Sequence, residues 1–278
     1  MATPTLSRST LPGALGDILV DVRTTSRAAR LPAILIAHGF KGFKDYAFFP
    51  PFAERLARAG FVAVTASVSG SGVDDEGNFS RLERFARNTY SRELDDLGSV
   101  TRALLSGELG VEPPTSLGVV GHSRGGGMVL ALARETPAIR SVVTWAAISR
   151  ARRHSDAELD AWRASGSIQV LHQRLRIQLP LNYEVAEDCL RNEHGRLDIR
   201  EAARTLGRPW LQVHGTGDTS VRFDEAEALA AVAGPGHETL FLPDADHTFG
   251  TRHPWAGSTP DFDRVADATV AFLSRTLA

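Results

Sequence analysis

The sequence predicts an α/β domain whose mostly parallel sheet is covered by helices on both faces. Short β-branched apolar runs recur along the chain, and segments with apolar residues at helical spacing separate most of them. Strand, helix and strand in repetition is the pattern of a parallel sheet buried on both sides. With 278 residues, 42% of them hydrophobic and 23% charged, the chain has the size and composition to bury such a core without covalent staples.

Taken in order, the runs 17–23 (DILVDVR), 31–38 (LPAILIAH), 61–68 (FVAVTASV), 116–121 (SLGVVG), 141–148 (SVVTWAAI), 209–214 (PWLQVH) and 238–242 (ETLFL) have strand length and turn-rich flanks. The first helix, FAERLARAG at 52–60, ends on a glycine suited to a C-cap. Helical spacing returns at 90–110, 127–135, 223–233 and 261–278. Residues 150–205 interrupt the pattern: they are charged, show no buried-strand run, and are too many for an ordinary crossover. They are expected to form a mostly helical cap insertion over one end of the sheet. The expected organisation is a single domain, 1–278, with a core of 1–149 and 206–278 and a cap of 150–205.

Charge narrows the partners. The 31 basic and 33 acidic residues leave a formal charge of −2, which provides no general field for nucleic acid or anionic membrane. A small-molecule substrate is expected instead, handled by a monomer or homodimer. The single cysteine, Cys189, excludes an internal disulfide and is expected to be a buried apolar thiol. No run of the sequence approaches the ~18 apolar residues of a membrane span, and the first twenty residues lack a basic start followed by an apolar run, so a cytoplasmic location is expected. There is no H-E-x-x-H and no cysteine pair for zinc, so no metal site is expected.

The stretch VVGHSRGGGM, 119–128, contains Gly121-His122-Ser123-Arg124-Gly125, a match to G-x-S-x-G between an apolar strand and a helix. In that context the serine sits on a sharp turn, the nucleophile elbow, which needs small flanking residues and places the hydroxyl at a helix N-terminus. The plain alternative is a glycine-rich turn whose serine caps the helix. A dinucleotide loop fits worse, because Ser123 stands where its second glycine must be, and a P-loop would need a terminal Gly-Lys-Ser/Thr.

A serine nucleophile requires a base, and the base an acid to fix its tautomer. Catalytic groups of a parallel sheet follow the carboxyl ends of strands. Asp218 in VHGTGD and His247 in DADHTF stand there, and the chain order Ser123, Asp218, His247 is that of this architecture. His214, at a strand end, suits a structural bond to a loop better, and His38 suits holding its own loop. Among rival acids, Asp246 beside His247 is expected to point elsewhere, and Asp244 to form a turn. The turn HGF after the second run places the backbone N–H of Phe40 as one oxyanion donor, with that of Arg124 as the other. Phe43, Tyr46, Trp162 and Tyr183 are the candidate substrate contacts, and the basic run RARR (150–153) suits a solvated surface.

HGFKGFKD, GHSRGG, VHGTGD and ADHTF, in this order, resemble the α/β-hydrolase superfamily, and within it the dienelactone-hydrolase-like and cinnamoyl-esterase-like serine hydrolases. The resemblance spans nearly the whole chain. It implies an eight-stranded, mostly parallel sheet, a catalytic triad of Ser123, Asp218 and His247, and ester hydrolysis with no cofactor. Dienelactone hydrolase proper departs from this chain in using cysteine where Ser123 stands. The expected activity is that of a carboxylesterase for small or aromatic acyl esters. A thioesterase, lactonase or small-peptide hydrolase on the same triad, or a non-catalytic binding protein on this scaffold, are the alternatives.

Overall fold

The computed structural model describes residues 3–173 and 175–277. Its first strands, β1 (Thr5–Gly13) and β2 (Gly16–Thr24), form an antiparallel hairpin. The strands β3 (Ala33–Ala37), β4 (Val62–Ser67), β5 (Leu117–His122), β6 (Ile139–Trp145), β9 (Trp210–Gly215) and β10 (His237–Leu242) run parallel to one another. Together they form one eight-stranded sheet in the order β1-β2-β4-β3-β5-β6-β9-β10, in which only β2 opposes its neighbours' direction. The strand absent from the pattern-based expectation is β1. Its sequence TLSRSTLPG keeps a single buried apolar side chain, Leu11, and it tolerates Pro12 because it is an edge strand.

Alternation along the central strands assigns the two layers. In β3, Ala33, Leu35 and Ala37 enter one core, while Ile34 and Ile36 enter the other. The first core packs beneath α3 (Tyr90–Ser106), α4 (Arg124–Glu135) and α8 (Phe223–Ala230). The second lies beneath α1 (Phe49–Arg58) and α9 (Pro260–Thr276). A short α2 (Leu82–Ala86) precedes α3. Burial on both faces explains why β3 reads as an unbroken apolar run and why β4 and β5 are mostly apolar.

Between β6 and β9 the chain forms α5 (Asp156–Ser165), an antiparallel ribbon of β7 (Ser167–His172) and β8 (Ile177–Asn182), then α6 (Glu184–Asn192) and α7 (Ile199–Arg204). The ribbon differs from the helical expectation. Only one of its faces is covered, so its apolar residues Ile177, Leu179 and Leu181 alternate with Gln178 and Pro180 and form no buried run. Ion pairs fasten the insertion to the core: Arg92 to Glu184 at 2.9 Å, and Arg196 to both Glu135 and Asp95 at 2.8 Å. The basic run is engaged as well, since Arg153 pairs with the buried Glu225 at 2.7 Å, and Arg152 reaches Asp156 and Glu193. No helix among the described residues is long and apolar enough to cross a membrane.

Candidate active site

Strand register brings the carboxyl ends of β3, β5, β6, β9 and β10 to one edge: Ala37 faces Gly121, His122 faces Trp145, and Leu242 faces Gly215. From β5 the chain turns directly into α4 through Ser123, whose φ of 59° and ψ of −120° are a conformation that L-residues rarely hold. Its neighbours impose it. Ser123 donates its N–H to the Trp145 carbonyl at 2.8 Å, and its own carbonyl accepts from Gly126 at 3.0 Å and Ile148 at 3.2 Å. The flanking glycines are required by contact: a Cβ at Gly121 would lie 2.2 Å from the Gly125 carbonyl oxygen, and one at Gly125 would lie 2.4 Å from that of His38. Gly125→Ala is therefore expected to cost about 1–3 kcal/mol of stability, as overpacking does, measured as a lowered urea midpoint at unchanged m. A midpoint equal to that of the unmodified protein would show that the turn has room.

The loops after β9 and β10 bring Asp218 to His247. His247 donates through Nδ1 to Asp218 Oδ2 at 2.7 Å, while Asp218 Oδ1 accepts the N–H groups of Ser220 at 2.8 Å and Val221 at 2.9 Å. Burial of the Asp218 carboxyl opposes its ionisation. The hydrogen bonds from His247 and Val221, with His214 Nε2 3.5 Å from Oδ2, together outweigh that cost and hold it well below the usual carboxylate range. An ionised Asp218 keeps the proton of a neutral His247 on Nδ1 and leaves Nε2 as the basic nitrogen. His214 donates to the Val221 carbonyl at 2.8 Å, the structural bond to a loop that its place at a strand end suggests. Asp246 accepts from Thr248 and Gly250 of its own turn, and Asp244 adopts the positive φ of a turn residue.

His122 is the contributor the sequence did not single out. Its Nε2 donates to the His247 carbonyl at 2.9 Å, and its ring lies 4.6 Å from the His247 ring, centroid to centroid. Burial, reinforced by the adjacent His247, lowers its pKa to about 3, so it acts as a neutral donor that pins the His247 loop to the elbow. Its place inside G-x-S-x-G was legible; the bond was not, because it spans 125 residues.

The loop after β3 approaches the elbow from the other side. Gly39 comes so near that a Cβ there would sit 2.8 Å from that of Ser123. His38 holds this loop as expected: Nδ1 donates to the Gly39 carbonyl at 2.9 Å, and Nε2 accepts the Val68 N–H at 3.3 Å. Burial brings its pKa down to about 4 despite the Gly39 hydrogen bond, so a neutral ring ties this loop to the end of β4. The N–H groups of Phe40 and Arg124 have no protein acceptor among the described residues.

Ser123 and His247 line one cleft of about 300 Å³, together with Gly39, Phe40, Tyr46 and His172. His172 comes from the ribbon of the insertion, and no motif announced it. Of the four candidate substrate contacts, Tyr46 faces this cleft and Trp162 faces a second cavity under the insertion. The other two line neither of these cavities. Phe43 is buried away from the cleft, with its ring edge-on to Tyr46, Phe79 and His253. Tyr183 lines neither cavity, because its hydroxyl accepts from Arg163 Nε at 2.9 Å and its ring packs edge-on to Trp162.

Comparison with known proteins agrees with this architecture. The sequence profile of the dienelactone hydrolase family matches residues 20–172. No curated protein matches the chain in sequence. Similar solved structures include the esterase domain of a Rhodothermus marinus protein, with a TM-score of 0.67 and 20% identity over 99% of this chain and 100% of that one. Est1E from Butyrivibrio proteoclasticus with ferulic acid bound has a TM-score of 0.73 and 16% identity over 94% and 96%. A dienelactone hydrolase from Anabaena variabilis has a TM-score of 0.65 and 15% identity over 99% and 100%. At such identities the likeness is one of fold.

Proposed function

The chain belongs to the dienelactone hydrolase family and has the α/β-hydrolase fold, and from that premise we propose that it hydrolyses carboxylic esters through an acyl-enzyme on Ser123. The observation that carries the proposal is the 2.7 Å His247–Asp218 pair opening onto the same cleft as a serine held in a strained turn. Ser123 Oγ attacks the ester carbonyl while His247 Nε2 takes its proton, and buried, ionised Asp218 stabilises the imidazolium. The unpaired N–H groups of Phe40 and Arg124 receive the oxyanion, that of Arg124 with the aid of the α4 N-terminus. Collapse expels the alcohol, protonated by His247; water then attacks the acyl-enzyme by the same route and releases the acid. Water is the only co-reactant required.

A small or aromatic acyl ester suits a cleft of this size, and the ferulic acid bound by the similarly folded Est1E supports the aromatic option. The test is labelling with a fluorophosphonate followed by peptide mapping. The adduct is expected on Ser123, with loss of p-nitrophenyl acetate hydrolysis in proportion to labelling. Full hydrolysis by completely labelled protein, or a label on a different residue that tracks the loss, would remove Ser123 from the chemistry.

A further inference from the structure

A second cavity, about 320 Å³, lies between the insertion and the core behind Phe40. Leu159, Trp162, Val170, Leu181 and Val185 give it apolar walls from the insertion. Phe40 lines both this cavity and the Ser123 cleft, so one half-buried side chain forms the partition between them. Phe40 and Arg124, whose backbone N–H groups are the proposed oxyanion donors, both line this cavity. An acyl chain leaving a carbonyl held there is therefore beside the partition.

The core side of the cavity is polar in an unusual way. The Arg124 guanidinium lies over the rings of both Phe40 and Tyr90, 4.2 and 4.1 Å from their centroids. At its N–H edge, Nη1 donates to Glu93 Oε1 at 3.0 Å. Nε and Nη2 of Arg124, and the Tyr90 hydroxyl, have no hydrogen-bond partner among the described residues. Burial pushes the Tyr90 pKa up to about 12, so its hydroxyl remains a donor. The cations are paired: Arg124 with Glu93, whose carboxyl burial pushes up against the opposing pull of Arg124 and Asn88, Arg153 with Glu225, and Arg152 with Asp156 and Glu193. Such a site offers donors without net positive charge. It suits an uncharged oxygen acceptor more than a carboxylate.

We propose that this cavity is the acyl chamber of the enzyme, entered past Phe40, and that it selects apolar acyl groups carrying an uncharged oxygen acceptor that the Arg124 edge and the Tyr90 hydroxyl bind. The assignment rests on the ester hydrolysis proposed for Ser123. It deepens that proposal by naming the substrate class.

The experiment compares p-nitrophenyl esters of acetic acid, of straight-chain acids with six to ten carbons, and of the same acids with a keto group next to the terminal methyl. In the unmodified protein kcat/KM is expected to rise roughly fourfold per methylene until the chamber is filled. The best keto ester should exceed its plain counterpart by about five- to tenfold. Val170→Trp, which fills the chamber from the ribbon, should abolish the chain-length gain and leave acetate within twofold. Tyr90→Phe should reduce the keto preference and spare the plain esters. An unchanged octanoate-to-acetate ratio in Val170→Trp, or no keto preference at any length, overturns the proposal.

Binding of two ketones that cannot be hydrolysed separates this result from the chemistry at Ser123. By calorimetry, nonane-2,8-dione is expected to bind the unmodified protein more tightly than nonan-2-one, and Val170→Trp should lose both. If Ser123→Ala retained ester hydrolysis while this binding pattern held, the nucleophile assignment would fail and the chamber would stand. If Val170→Trp lost acetate hydrolysis as well, the ketones decide the matter: retained binding in that variant refutes the chamber, and lost binding with an unchanged circular dichroism spectrum supports it.

Discussion

Replacing Ser123 by alanine is expected to lower kcat for p-nitrophenyl acetate by about 10⁴ to 10⁶, as removal of a triad nucleophile does. Stability should change little. The Ser123 hydroxyl has no hydrogen-bond partner among the described protein residues, and the positive φ is imposed by backbone bonds to Trp145, Gly126 and Ile148 that alanine retains. Loss of activity with an unchanged urea midpoint would therefore separate chemistry from folding. Undiminished hydrolysis by this variant would sink the nucleophile assignment, and a large fall in midpoint would show that the hydroxyl helps hold the turn.

Asp218→Asn is expected to lower kcat by about 10⁴. The amide cannot stabilise the imidazolium, and it no longer fixes the proton of His247 on Nδ1. It should also cost stability, because Asp218 accepts from two backbone N–H groups and a histidine with its side chain fully buried. The sign of the pH dependence follows from the depressed pKa. In the unfolded chain the carboxyl titrates near ~3.9, whereas in the folded protein it stays ionised to lower pH. Its contribution is fully present above the unfolded value and is lost as pH falls through the folded one. The stability gap between the unmodified protein and Asp218→Asn should therefore narrow on acidification from pH 6 towards pH 3. Unfolding midpoints at pH 6, 4.5 and 3.5 measure it, and a gap that widened would mean that Asp218 is held protonated.

The strands buried on both faces gave the plainest sequence signal. β3 and most of β5 could be recognised from composition because their doubly covered positions take apolar or small residues. β1 and the β7–β8 ribbon escaped for the converse reason: one face meets solvent, proline is tolerated in both, and half the residues carry no hydrophobic signal. The same contrast divides the site. Gly121, Ser123 and Gly125 announce themselves because a strained turn accepts few residue types in a fixed local order. His122, Phe43 and Tyr183 owe their roles to partners 125, 210 and 20 residues away, and local spacing carries no information about such contacts.

By itself the sequence determined the class of sheet, the sharp turn around Ser123, and the order in which Asp218 and His247 follow it, because backbone sterics and strand burial constrain neighbouring residues directly. Only the tertiary structure decided that Asp218 and His247 meet at 2.7 Å, that His122 ties the base loop to the elbow, and that Phe40 and Arg124 bound a second chamber. Those relations arise where loops from separate strand ends converge beneath an insertion. Their distances are set by how the two cores pack on the sheet, which no local pattern specifies.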